Sequence, residues 1–187
     1  HQRSAIGLIV ALLLMAGLLL SAPTAASGAP RPCRDAGLVP SKGAQAERFK
    51  LALRCLINRE RTAHGLDRLH VNRNLLRSSR WQARDMLKYE YFDHRRQDGP
   101  DFAQRIDRFG YDGSVAGENL AWTGAQSASP AALVELWMGS AAHRENILER
   151  AFEDQAIAVL WSAKPVGGDF ATAGGAFMIV VNQFGER

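Results

Sequence analysis

Apolar residues follow one period up to about residue 150 and another after it, which limits this chain to folds that layer helices on a sheet. Phe49, Leu53, Leu56 and Ile57 fall at i, i+4, i+7 and i+8, one face of a helix that begins at Ala44 and stops at His64-Gly65. A second helix is expected from about Asn74 to Tyr89, burying Leu76, Ala83, Met86 and Leu87. Pro100-Asp101 opens a short third helix that carries Phe102, Ile106 and Phe109 and is closed by Gly110. Ser129-Pro130 reads as an N-cap with Pro at the first helical position, starting a fourth helix with Leu133, Val134 and Trp137 inward. Past residue 153 the pattern is that of strands. Ala156 to Trp161 and Phe177 to Val181 are continuous apolar runs separated by a Gly-rich loop, and Asn119 to Trp122 supplies a third strand. Helices followed by antiparallel strands make an α+β layered domain.

The front of the chain points to a compartment. Ala5 to Leu20 is an unbroken apolar run preceded by Arg3 and followed by small residues from Ser21 to Ser27, the three regions of a secretory signal. Sixteen apolar residues fall short of the roughly 20 that cross a bilayer, so residues 1–27 are expected to be removed and the membrane met only during export. Residues 28–43, rich in Gly, Pro and Ser, read as a linker to a domain over 44–187. In an exported chain the two cysteines, Cys33 and Cys55, read as a disulfide. The alternative is a lone nucleophilic thiol at Cys55, which has no neighbouring histidine to lower its pKa.

Charge excludes one class of partner. Net charge is +4, and losing residues 1–27 removes Arg3 and no acid, which leaves +3. Arg59, Arg61, Arg68, Arg73, Arg77 and Arg80 are interleaved with apolar positions, as on solvated helix faces, so no nucleic-acid partner is expected. The Gly-rich loop lacks the Gly-Lys-Ser/Thr of a phosphate cradle and has no helix behind it.

Four strings stand in order: Asn58-Arg59-Glu60-Arg61, Tyr91-Phe92-Asp93-His94, Gly117-Glu118-Asn119-Leu120-Ala121, and Trp137-Met138-Gly139-Ser140 leading into His143-Arg144-Glu145-Asn146-Ile147-Leu148. Asn182-Gln183-Phe184-Gly185 follows as a closing strand. From about Ala44 to the end, this order and spacing resembles the bacterial, secreted CAP domain (cysteine-rich secretory protein, antigen 5 and pathogenesis-related-1; also called the SCP domain). The resemblance implies a three-layer α-β-α sandwich with a small antiparallel sheet. It also implies a cleft lined by two histidines and two acids, which in several members holds a divalent metal. Carried over by position, these are His94, Glu118 and His143, while the second acid position of many eukaryotic members is here Ser140.

The residues themselves leave three functions open. Two imidazoles and a carboxylate make a first shell for Zn²⁺ with one open position. Metal-bound water, or a Glu–His pair acting as acid and base, would serve a hydrolase of the peptidase kind. A buried polar network with no ligand is the third reading. The missing acid at Ser140 weighs against catalysis, and a Ser140–His143 nucleophile pair lacks a nucleophile elbow. The expected function is therefore an extracellular binding module whose cleft takes a metal, a lipid, a cell-wall component or a protein. The alternatives are a hydrolase and a surface interaction protein. His64 and His70 have no spaced partner, and Trp81, Trp122, Trp137 and Trp161 read as core or cleft wall.

Overall fold

The chain alternates its side chains between two helical layers through a central sheet. The structure is a computed structural model that describes residues 31–124, 127–164 and 166–187. The signal expected over residues 1–27 and the first residues of the 28–43 segment lie outside the described residues, and Pro32–Arg187 forms one unit. Its helices are α1 (Ala46–Ala63), α2 (Arg73–Tyr89), α3 (Phe102–Arg108), α4 (Pro130–Gly139) and α5 (Ala141–Leu148). Its strands are β1 (His70–Val71), β2 (Ala116–Gly124), β3 (Asp154–Ser162) and β4 (Phe177–Gly185), in the spatial order β1-β3-β4-β2.

The period-2 alternation of β4 sorts the core. Met178, Val180 and Phe184 join Phe49, Leu53, Leu56, Ile57, Val134, Trp137 and Ile147 under α1, α4 and α5. Phe177, Ile179 and Val181 join Ala83 and Met86 under α2. This is the expected α+β three-layer sandwich. Burying one such side chain, for example Leu53, stabilises the fold by about 1.5–3 kcal/mol.

Three features differ from the sequence reading. On α2 the fully buried stripe begins at Leu75 rather than Leu76, and Leu76 is only partly buried, packed against the cluster of Leu75, Ile106, Tyr111 and Ala156. The sheet gains β1, a two-residue strand parallel to β3, which apolar pattern cannot reveal because both its residues are exposed. The described part of the 28–43 segment is not a free linker. Cys33 is buried and bonded to Cys55 on α1, Ala131 donates to the carbonyl of Ala36, and Gly43 packs against Trp161. Gly and Pro there shape a strap across the helical layer, and the disulfide is as expected.

The Gly-rich connection between β3 and β4 is folded over the end of α2. Gly168, at φ +57°, sits where a Cβ would meet the carbonyl of Glu90. Asp169 accepts a 2.6 Å hydrogen bond from the backbone of Phe92, and Phe170 is buried against Trp122 and Phe177. These contacts fix the segment that leads to His94.

Candidate functional site

Glu118 lies on β2 directly across from Gln183 on β4, so the two side chains share the α2-side face. Gln183 donates a 2.7 Å hydrogen bond to Glu118 Oε2. Behind them α3 begins at a capping box, in which Asp101 accepts from the backbone of Gln104 and Gln104 returns the bond. That start orients Arg105, whose guanidinium donates to Glu118 Oε2 at 2.5 Å and to the carbonyl of His94 at 2.8 Å. Gln82 on α2 donates to the carbonyl of Asp93 at 2.8 Å. The backbone on either side of His94 is thereby held from two helices.

With its backbone fixed, His94 places Nδ1 3.0 Å from Glu118 Oε1. A carboxylate only accepts, so Nδ1 carries the proton and Nε2 is left free of that bond. The imidazole is 53% exposed and the carboxylate 2%. The hydrogen bond that Nδ1 donates to Glu118 holds the His94 pKa above its ordinary value, against some desolvation.

His143 comes from the opposite layer. Ser140 ends α4 and starts α5, yet its hydroxyl does not cap α5. It lies 2.9 Å from His143 Nδ1 instead. Asn119 donates to the carbonyl of His143 at 3.0 Å, and Asn146 donates to Asn119 Oδ1 at 2.9 Å. Gly117 permits this approach, since a Cβ there would stand 2.5 Å from Asn146 Oδ1. The ring of Trp137 stacks on His143, with centroids 6.4 Å apart. Desolvation lowers the His143 pKa, and the nearby charge of His94 lowers it further.

The two halves are therefore built differently. Glu118 is a charged partner that favours the protonated form of His94, whereas Ser140 is a neutral partner to His143. His94 and Glu118 are in direct contact, while His143 bonds to Ser140 and senses His94 through charge alone.

The residues present do not fit the three-ligand Zn²⁺ shell expected from the sequence. Both Glu118 oxygens already accept hydrogen bonds, and a guanidinium lies against one of them. With its oxygens so engaged, Glu118 fixes the His94 tautomer through Nδ1 and does not stand as a third ligand beside the two imidazoles. Among the described residues, no group of three or more His, Cys, Asp or Glu is placed to hold a metal ion.

Arg105, Gln183 and Gln82 complete the site and were not singled out from the sequence. Arg105 follows the apolar spacing of α3 and looks like a solvated arginine, yet it is 1% exposed. Arg61, of the first string, is structural. Its guanidinium donates to the carbonyls of Asp67, Ile147, Glu149 and Phe152, tying α1 to the end of α5. Asn58 exchanges two hydrogen bonds with the backbone of Leu69.

The family model described as the cysteine-rich secretory protein family, CAP, matches residues 55–167. The chain belongs to the CAP family. A curated relative, the uncharacterized protein YkwD of Bacillus subtilis, is 32% identical over 130 residues, covering 68% of this chain and 48% of the relative. The chain thus spans about half the length of that CAP relative. An extracellular protein containing an SCP domain from Bacillus anthracis superposes with a TM-score of 0.62 at 20% identity, over 79% of this chain and 45% of that one. An outer surface protein from Borrelia burgdorferi gives 0.59 at 20% identity, over 76% and 95%. A cysteine-rich secretory protein from Staphylococcus aureus gives 0.58 at 16% identity, over 78% and 40%. At these identities the structures establish the CAP fold. No helix among the described residues of this CAP domain is long and apolar enough to cross a membrane.

Proposed function

We propose that this chain is an exported CAP module that binds an anionic or acceptor-bearing ligand, such as a cell-wall fragment carrying carboxylate or phosphate, through the exposed imidazole of His94. The observation that carries this reading is the use of Glu118. Both of its oxygens serve His94, Arg105 and Gln183, so it orients and charges an imidazole rather than coordinating a metal or acting as a free base. His143, bonded to Ser140 and stacked on Trp137, is near enough for the charge of His94 to lower its pKa. Export is supported by the apolar leader with its small-residue end and by the Cys33–Cys55 bridge, since such bonds persist in oxidising compartments.

The test is a spectrum of the histidine ring nitrogens during titration with soluble wall fragments bearing carboxylate or phosphate. Saturable movement of the His94 Nε2 signal, abolished in His94→Gln with the fold retained, supports the proposal. Unmoved His94 signals with every fragment would sink it. Calorimetry with Zn²⁺ alone is the companion measurement. Heat that disappears in a His94→Ala, His143→Ala variant would restore the metal reading.

A further inference from the structure

The outer edge of β3 is only partly covered. β1 pairs with Asp154 and Gln155 and then ends. Asn72 donates to the carbonyl of Gln155, which shows that the odd-numbered residues of β3 turn their backbone groups outward. By that alternation Ile157 and Val159 direct an N–H and a C=O each to the open side, and β4 lies on the other. Among the described residues, no backbone partner beyond β4 meets them.

The surroundings of this edge form two adjoining clefts between α1 and α2. Leu51 and Val71, 46% and 47% exposed, and the partly buried Leu76 give them an apolar wall. Gln155 lies in the floor, fully buried, and neither its amide nitrogen nor its amide oxygen has a partner. Charge on the rim is one-sided. Glu47 is paired with Lys50 at 2.6 Å, whereas Arg54 and Arg80 have no ion pair among the described residues. Arg73 and Arg84 lie about one helical turn from Leu76 and Arg80 on α2.

We infer that the β3 edge from Ile157 to Val159 accepts an extended acidic segment of a partner protein as an added strand. Outward N–H and C=O groups supply the ladder, and side chains of the added strand alternate between the α1 layer, which offers Leu51 and Arg54, and the α2 layer, which offers Leu76 and Arg80. A second copy of this chain would bring the same arginines against themselves, so like charge disfavours it. This surface shares no residue with the site around His94, and its test is independent of the function proposed above.

The experiment uses the full ¹⁵N-labelled chain and a synthetic peptide repeating Val-Val-Glu-Glu, which presents valine and glutamate to both layers, with a Val-Val-Lys-Lys repeat as control. The expected result is saturable binding of the glutamate peptide with hydrogen-exchange protection of the Ile157 and Val159 amides. Arg54→Glu with Arg80→Glu should weaken binding about tenfold while leaving the amide spectrum otherwise intact. Methylating alternate peptide nitrogens should abolish binding, because the ladder then loses its donors. Equal binding of both peptides, binding without protection at Ile157 and Val159, or no binding at all overturns the inference. So does protection that rises with protein concentration in the absence of peptide, which would assign the edge to self-association.

Discussion

Arg105 Nη2 lies 2.5 Å from Glu118 Oε2, and the two side chains are 1% and 2% exposed. A pair this deeply buried costs desolvation on both sides, so removing one partner is far worse than the modest net value of the pair. Arg105→Ala should lower unfolding free energy by about 3–5 kcal/mol in urea titration. Glu118→Gln, which keeps the shape and loses the charge, should cost less than the arginine truncation. Equal stability of Arg105→Ala and wild type would show that the pair is not closed in solution.

The two histidines should make opposite contributions to pH-dependent stability. His94 has a raised pKa, so its contribution is complete below the ordinary histidine value of about 6.5 and fades as pH rises through its folded-state value. His143 has a lowered pKa, so it withdraws stability as pH falls from about 6.5. The melting-temperature deficit of His94→Ala should accordingly be larger at mildly acid pH than at alkaline pH. A deficit that is the same across that range would contradict the assignment.

Ser140 is where this chain lacks an acid, and the structure gives the consequence. A hydroxyl orients His143 without charging it. Ser140→Asp should raise the His143 pKa, read from its ring proton shifts, and leave His94 still bonded to Glu118. No change at His143 would mean that its ring does not face residue 140.

Most of the fold was legible in the sequence because it rests on periodicity. The stripe from Phe49 to Ile57, the N-cap at Ser129 and the apolar runs of β3 and β4 each carry their own local signal. The candidate site was legible only in part. His94 and Glu118 stand in distinctive strings and do meet. Arg105 carries no local mark, and Gln183 stands in the closing-strand string without a mark of its role, because what makes them special is burial against a partner 13 and 65 residues away. The strap before α1 was legible only through its cysteine. Its Gly and Pro content looks like a linker, while its anchoring depends on one bond to Cys55 and on packing against α1 and α4.

Gly117 is required by what approaches it. Gly117→Ala would press a methyl onto Asn146 and Phe152 and displace α5 from β2. A loss of about 1–3 kcal/mol is expected, with movement of the His143 resonances. Wild-type stability with unmoved His143 signals would show that the approach is looser than described.

The Cys33–Cys55 bridge closes a separation of 22 residues. Replacing both cysteines with serine should remove about 3 kcal/mol and increase amide exchange at Ala131, whose N–H bonds to the strap. Unchanged exchange at Ala131 would show that the strap holds without its covalent tie.

Glu118 favours a proton on His94 through the hydrogen bond it accepts from Nδ1. An NMR titration of the His94 ring in wild type and Glu118→Gln reads it directly. The wild-type ring should titrate above 6.5, the ordinary histidine value, and the substitution should bring it down. A His94 ring that titrates at the ordinary value, or that is indifferent to Glu118→Gln, would contradict the account.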